Sequence, residues 1–314
     1  MNYPAEVRIY EVGPRDGLQN EAQPISTPAK LEYIRLLRAA GLRDIEATSF
    51  VSPTAIPQLA DADEVIRAIT GERDGGIRYP VLVPNERGLD RAVAAGAREL
   101  AVFTAASDAF TRRNIGMTID ESLAAFEPVL SRAVGMGWWK RAYVSTAFGC
   151  PFSGRVAVEK VVEVSLRLVE LGADEICLGD TIGVGVPSQV HELTAAVVAA
   201  DLPLDRLAYH FHDTRGTALA NVLAGLEDGV ACFDSSTGGT GGCPYAPGAA
   251  GNLATEDLVY LLDGMRIAHG ARLEEVLTAA RYVAATLGRP LASKVGQAGG
   301  WDRHTGARTH SAAP

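Results

Sequence analysis

The chain has 314 residues, 47% hydrophobic and 21% charged, with a formal net charge of −9 at pH 7. This composition excludes a disordered chain, and the 33 glycines show no collagen-like period. The acidic balance argues against nucleic acid and anionic membranes as partners, because both need a basic face. No apolar run approaches the ~18 residues of a membrane span, and no signal-like or transit-like pattern opens the chain. With four cysteines that suggest no disulfide framework, we expect a cytoplasmic protein.

Short apolar or β-branched runs recur along the chain, separated by stretches with helical spacing. The eight runs are 7–12, 44–50, 79–83, 99–104, 141–146, 175–178, 206–211 and 231–235. Several are nearly continuously apolar, as in strands buried on both faces. The alternation predicts a parallel sheet of the α/β class, and eight units favour a closed (β/α)8 TIM barrel. A doubly wound open sheet is disfavoured, because no Gly-x-Gly-x-x-Gly follows the first run.

The ends of the predicted helices share one pattern, in which a glycine lies a few residues before the next strand. These glycines are Gly41, Gly96, Gly172 and Gly229. Glycine accepts the left-handed conformation that often ends a helix. Two further helices are predicted over 255–269 and 273–287. We expect a single barrel domain with C-terminal helices over 1–300, followed by a disordered polar tail over 301–314.

Polar residues directly follow the first predicted strand, in Glu-Val-Gly-Pro-Arg-Asp-Gly-Leu-Gln-Asn-Glu at 11–21. Active sites of TIM barrels lie at the C-terminal ends of the strands. The glycines and proline predict a tight turn that presents Arg15 and Asp16 together. An Asp-Gly turn alone indicates an ordinary surface turn, but this one follows a buried strand.

The seventh strand carries His210 and His212, which point to the same side because strand side chains alternate. Two such imidazoles favour a shared metal, although one core histidine and one loop-capping histidine would fit an isolated His-x-His equally well. A carboxylate such as Asp16 and a neutral oxygen donor would complete the site. Since no thiolate is required, Mg²⁺ or Mn²⁺ fits.

The eighth strand leads into a loop, 234–252, that contains six glycines and Cys243. A thiol on a glycine-rich loop above the barrel is placed to move onto a substrate. The phosphate-binding Gly-x-x-x-x-Gly-Lys-Ser/Thr pattern is absent. Cys177 and Cys232, by contrast, lie in strands and are predicted to be buried structural residues.

Two acids complete the candidates: Glu46 on the second strand and Asp180 after the sixth. Either alone is readily explained as a structural carboxylate that accepts loop amides. At the mouth of a metal-binding barrel both become acid–base or metal-supporting candidates.

These segments together resemble the 3-hydroxy-3-methylglutaryl-CoA lyase family of the metal-dependent lyase and aldolase superfamily. The phrases that carry the resemblance are the 11–21 segment, Thr-Ser-Phe-Val-Ser-Pro, Leu-Gly-Asp-Thr-Ile-Gly-Val-Gly, Gly-Gly-Cys-Pro-Tyr-Ala and Gly-Asn-Leu-Ala-Thr-Glu-Asp. The resemblance implies a TIM barrel that cleaves an acyl-CoA to acetyl-CoA and acetoacetate with a divalent metal. It also implies a homodimer.

The resemblance further implies roles for individual residues. The implied metal ligands are Asp16, His210, His212 and Asn252. The implied catalytic residues are Arg15 at the enolate oxygen, Cys243 in proton transfer, and Asp180, Glu46 and His210. The substrate-binding residues that we expect are Arg15, Gln19, Ser49, Asn114, Thr181 and Arg215. Asn114 is included because it follows a basic stretch, for which a solvated loop is an equal alternative.

The chain departs from the usual lyase pattern at Phe211, Arg215, Thr240 and Pro247. Arg215 follows the metal-binding strand closely, so a related substrate such as citramalyl-CoA stays open as an alternative. A condensing synthase or ketoacid aldolase is disfavoured by the loop around Cys243. A non-catalytic barrel ranks lowest, because every expected ligand and acid is present.

Overall fold

The computed structural model describes residues 3–71, 76–242, 251–302 and 307–308. Parallel strands alternate with helices along the chain. The strands of the main sheet are β1 (Arg8–Glu11), β2 (Asp44–Ile45), β3 (Thr48–Ser49), β4 (Val81–Leu82), β5 (Glu99–Ala105), β6 (Trp139–Ser145), β7 (Glu175–Asp180), β8 (Leu207–Phe211) and β9 (Cys232–Ser235). The helices are α1 (Thr27–Ala39), α2 (Ala62–Thr70), α3 (Glu86–Ala95), α4 (Asp108–Ile115), α5 (Ile119–Gly135), α6 (Val158–Glu170), α7 (Pro187–Ala199), α8 (Ala218–Glu227), α9 (Thr255–Met265), α10 (Leu273–Leu287) and α11 (Lys294–Ala298).

The sheet curls back on itself. Its strand order is β2-β1-β9-β8-β7-β6-β5-β4-β3, so β2 and β3 are its two ends. Only Glu46 and Ala47 separate these strands in sequence. The Glu46 amide donates to the carbonyl of Glu11, whereas the Ala47 amide donates to that of Pro80 on the opposite side. The predicted parallel α/β sheet is confirmed. The predicted run 44–50 contains β2 and β3, and its amides alternate between two neighbouring segments: Ile45 and Ala47 donate to the carbonyls of Arg78 and Pro80, and Glu46 donates to that of Glu11.

The curled sheet has an outer face covered by helices and an inner face filled by its own side chains. The inner cluster takes alternate residues from the strands, as expected for side chains of one face. Its members are Tyr10, Val12, Leu82, Ala101, Tyr143, Cys177, Ala208 and Cys232. The prediction that Cys177 and Cys232 are buried is therefore confirmed.

The predicted helix-ending glycines adopt the left-handed conformation. Their φ angles are 95° at Gly41, 93° at Gly96, 101° at Gly172 and 89° at Gly229. Each therefore ends its helix without the steric cost that a Cβ would bring, and the next strand begins three residues later.

Beyond α11, β10 (Trp301–Asp302) pairs with β11 (Ala307–Arg308) in an antiparallel fashion. The other residues of the predicted tail lie outside the described residues. Within the described part of the chain, no helix is long and apolar enough to cross a membrane.

Candidate metal centre and active site

A single π-helical turn, Gly13–Gly17, follows β1 and carries Arg15 and Asp16. The backbone amides of Arg15, Asp16 and Gly17 all donate to the Val12 carbonyl, at 3.2, 2.7 and 3.2 Å. At Gly13 an added Cβ would lie only 2.1 Å from the Tyr33 hydroxyl. The turn therefore needs glycine there, and it presents a cation and a carboxylate side by side.

Buried Glu11 ties this turn to the loop that follows β9. Its Oε1 accepts the amides of Gly13 and Thr237, both at 2.9 Å. Its Oε2 accepts the hydroxyls of Thr237 and Thr255, at 2.8 and 2.6 Å. One carboxylate thus connects the first and last site loops.

Three predicted ligands come together at the C-terminal end of the sheet. The Nε2 atoms of His210 and His212 are 3.1 Å apart, and one ligand atom each of Asp16, His210 and His212 lie within 4.8 Å of one another. Asn252 pairs with His212 through an isolated bridge, and its Nδ2 donates to Asp16 Oδ2 at 2.7 Å. All four ligands implied by the resemblance therefore meet at one place.

The donor set suits a divalent metal ion. Asn252 Oδ1 is buried and has no hydrogen-bond partner within the described ranges. A buried orphan oxygen is costly unless a ligand satisfies it. Together with two imidazoles and a carboxylate, it forms the mixed nitrogen and oxygen set that borderline and hard divalent ions accept.

The surroundings of Asp16 and His212 favour the protonation states in which these side chains bind metals. Burial opposes ionisation of Asp16, but Arg15, His210, His212 and the hydrogen bond from Asn252 together lower its pKa to about 2. Burial and the neighbouring His210 lower the pKa of His212 to about 3, against the effect of Asp16. At neutral pH Asp16 is therefore a carboxylate and His212 a neutral imidazole, the states that bind metals.

Arg15 lies between two carboxylates. Its Nη1 donates to Asp16 Oδ1 at 2.6 Å and its Nη2 to Glu46 Oε2 at 3.0 Å. The Tyr143 hydroxyl donates to the same Glu46 oxygen at 2.8 Å. Glu46 is fully buried, and its Oε1 has no hydrogen-bond partner in the described part of the chain.

Sequence reasoning missed Tyr143 and Asp234. Asp234 Oδ2 lies 3.0 Å from His210 Nδ1, and the guanidinium of Arg141 donates to Oδ1 at 2.5 Å. Burial would raise the pKa of Asp234, but Arg141 and His210 lower it below its ordinary value. No motif marks either residue. The only signal was their alternate-position spacing on predicted strands, which is shared by many core residues.

A cavity of about 440 Å³ opens over this centre. Predicted site residues that line it are Arg15, Asp16, Gln19, Asn114, Thr181, His210 and His212. Tyr143 lines it too, and Phe110 and Met117 give it an apolar side. The cavity is of the size and mixed polarity typical of small-molecule sites.

Five of the predicted site residues that the structure describes do not line the cavity: the metal-ligand candidate Asn252, and Glu46, Asp180, Ser49 and Arg215. Both Asp180 oxygens accept loop amides, from Val184 at 2.9 Å and Gly185 at 2.8 Å, and burial raises its pKa. The Ser49 hydroxyl donates to the Leu82 carbonyl at 3.2 Å. Arg215 Nη1 donates to the carbonyls of Ile182 and Gly183, in the loop that follows β7. These last three side chains support the walls of the site, and their predicted roles in binding or catalysis stay predictions.

The predicted thiol, Cys243, and Pro247 lie outside the described residues. Gly242, the residue before Cys243 in the chain, lines the cavity, and its carbonyl accepts a hydrogen bond from Asn20 at 2.8 Å. The role of Cys243 stays a prediction.

Two departures from the lyase pattern lie beside the metal ligands without being ligands: Phe211 stands between the two histidines in the chain, and the Thr240 carbonyl accepts Nδ2 of Asn252 at 3.0 Å. Phe211 points to the opposite face from its neighbouring histidines, where its ring stacks on Tyr209 with centroids 5.1 Å apart. The Thr240 hydroxyl is buried and lies 2.6 Å from that of Ser236. Phe211 and Thr240 therefore change the packing around the site but remove none of the four implied metal ligands.

Comparison with known proteins gives a consistent result. A family model described as HMGL-like matches residues 6–283. The chain is 50% identical to "Hydroxymethylglutaryl-CoA lyase, mitochondrial" of Homo sapiens, across 94% of this chain and 90% of the relative. The crystal structure of hydroxymethylglutaryl-CoA lyase from Pseudomonas aeruginosa superposes with a TM-score of 0.92 at 46% identity, covering 95% and 98% of the two chains. An HMG-CoA lyase from Acinetobacter baumannii, in complex with coenzyme A and 3-methylmalate, has a TM-score of 0.90 at 39% identity, covering 96% and 97%.

Proposed function

Because the chain belongs to the HMGL-like family, we propose that it is a hydroxymethylglutaryl-CoA lyase that depends on a divalent metal. It would cleave 3-hydroxy-3-methylglutaryl-CoA into acetyl-CoA and acetoacetate. The proposal depends on one observation. Asp16, His210 and His212 form a cluster of possible metal ligands, and they line the same cavity as Arg15. Asn252 would be the fourth ligand, and Mg²⁺ or Mn²⁺ suits these donors.

Each residue of the site would have its own role in the cleavage of the carbon–carbon bond. A divalent ion held by Asp16, His210, His212 and Asn252 would make the substrate hydroxyl more acidic, and the proton of this hydroxyl must leave before the carbon–carbon bond breaks. Glu46 does not line the cavity, so it would accept that proton through the Tyr143 hydroxyl, which lines the cavity and donates to Glu46 Oε2 at 2.8 Å. Arg15 holds positive charge where the enolate oxygen of the departing thioester develops negative charge. Cys243 would return a proton to complete acetyl-CoA.

The substrate choice follows from the walls of the cavity. The alternative acyl-CoA substrate depended on Arg215, which binds loop carbonyls and does not line the cavity. Asn114 and Met117 also line the cavity, and they would contact the acyl-CoA arm. We retain 3-hydroxy-3-methylglutaryl-CoA as the proposed substrate.

Several finer points belong to the same proposal. We classify the curled sheet as an eight-unit TIM barrel, in which β2 and β3 form one strand, with α10 and α11 as C-terminal additions. Residues 1–300 would form one domain. The homodimer and the cytoplasmic location expected from the sequence stay predictions.

A metal-replacement assay tests the function. Protein stripped by a chelator should lose turnover and regain it with Mg²⁺ or Mn²⁺, with acetyl-CoA and acetoacetate identified by mass. His212→Ala should abolish the recovery, whereas His191→Ala, which changes a half-exposed histidine paired with Asp228, should not. A higher kcat/KM for citramalyl-CoA would contradict the substrate, and full activity of the stripped protein would contradict the metal.

A further inference from the structure

The two histidines of the metal centre have different surroundings. His212 Nδ1 is buried and has no hydrogen-bond partner within the described residues. His210 Nδ1 lies 3.0 Å from Asp234 Oδ2. The strand register accounts for this contact, because His210 and Asp234 are direct partners across β8 and β9. Their side chains therefore project from the same face of the sheet.

Asp234 is itself held in place from the other side. Its Oδ1 accepts Nη2 of Arg141 at 2.5 Å, and the Cys177 thiol lies 3.6 Å from Oδ2. Arg141 is fully buried, with its guanidinium 3.7 Å from the centroid of the Tyr10 ring. A carboxylate locked in this way has little freedom to turn from the imidazole.

We infer that Asp234 is a positioning residue for the metal centre: it holds the proton of His210 on Nδ1 and directs Nε2 at the metal. This inference rests on the proposed metal-dependent function. A carboxylate behind a ligating histidine fixes its tautomer and ring orientation and raises its basicity. Asp234 does not line the cavity, so it acts through His210 and does not touch the substrate.

Metal affinity of Asp234→Asn tests the inference without any turnover. Titration of Mn²⁺ into metal-free protein, followed by electron paramagnetic resonance, should show about 10- to 100-fold weaker binding than in the unmodified protein. Asp44→Asn is the matched control, because Asp44 is also a buried aspartate in an ion pair with an arginine. It pairs with Arg78 at 2.5 Å and with Arg8 at 3.8 Å, and not with Arg141 or His210. It should keep Mn²⁺ affinity within about 2-fold, as expected for a residue with no partner in common with Asp234.

The outcomes separate this inference from the proposed function. Failure of the unmodified protein to bind Mn²⁺ would contradict the metal-dependent function. Equal Mn²⁺ affinity of Asp234→Asn and the unmodified protein would overturn only the positioning role, and so would an equal loss in Asp44→Asn. If Asp234→Asn does not fold, long-range ¹H–¹⁵N spectra of the unmodified protein decide. A protonated Nδ1 on His210 supports the inference, and an unprotonated Nδ1 overturns it.

Discussion

At the scale of single residues, the Tyr143 hydroxyl shares Glu46 Oε2 with Arg15. Tyr143→Phe should lower kcat/KM by about 10-fold, because a hydrogen bond to a charged group contributes about 1.5–3 kcal/mol and the carboxylate would lose one of its two donors. The same loss should lower the melting temperature by roughly 3–10 °C, so kinetics are measured well below it. Steady-state kinetics measure the effect.

Tyr10→Phe provides the control for this prediction. The Tyr10 hydroxyl is buried in the same inner cluster but has no hydrogen-bond partner within the described residues. Its removal should leave kcat/KM unchanged. Equal losses in both variants would show that the hydroxyls matter through packing and not through Glu46.

The residue scale also shows why some site residues could be predicted and others could not. His210 and His212 are recognisable because alternation on a strand puts both on one face. Asn252 entered only through the resemblance, since nothing in its neighbours marks a ligand. Asp234 is a lone acid at the start of a glycine-rich loop. Its contact with His210 depends on the register between two strands, which no local pattern encodes.

At the scale of elements, the acidic start of α9 holds the loop after β9. Buried Glu256 accepts the Gly238 amide at 2.9 Å, and burial raises its pKa to about 7. The folded state therefore keeps a proton that the unfolded chain releases near pH 4.5. Stability from this group is present below about pH 4.5 and is lost as the pH rises towards 7.

Glu256→Gln should remove this pH dependence. Relative to the variant, the free energy of unfolding of the unmodified protein should fall by up to about 3 kcal/mol between pH 5 and 7.5. Denaturant titrations at several pH values measure the difference. Glu32→Gln, which changes an exposed residue on α1, should follow the unmodified protein. A constant offset between Glu256→Gln and the unmodified protein would contradict the shifted pKa.

Element boundaries were predictable wherever a local steric requirement sets them. The four helix-ending glycines have positive φ angles, because only glycine adopts that conformation cheaply. The closure of the sheet at β2 and β3 was not predictable. There the amides of Ile45, Glu46 and Ala47 donate alternately to two neighbouring segments, and the identity of those neighbours depends on residues distant in the sequence.

At the scale of the whole molecule, a buried column of charges runs through the interior of the curled sheet. Arg141 links Glu175, at 3.0 Å, to Asp234, at 2.5 Å, and Asp234 in turn contacts His210. Glu175 also pairs with Arg8, which is half-buried near the opposite end of the strands. The metal centre is thus connected through ion pairs to the far end of the sheet.

Arg141→Met tests the importance of this column for the fold. Removal of Arg141 takes one partner from each of two buried carboxylates, of which Glu175 keeps Arg8 and Asp234 keeps His210, and this should cost about 3 kcal/mol of the free energy of unfolding. Arg132→Met is the control, because Arg132 pairs with Asp90 at a similar distance of 2.7 Å but on the surface. Its loss should stay below about 1 kcal/mol, since water screens exposed pairs. Denaturant unfolding measures both. Similar small losses would mean that the interior is hydrated enough to solvate its carboxylates, and the column would then contribute little to the closure of the sheet.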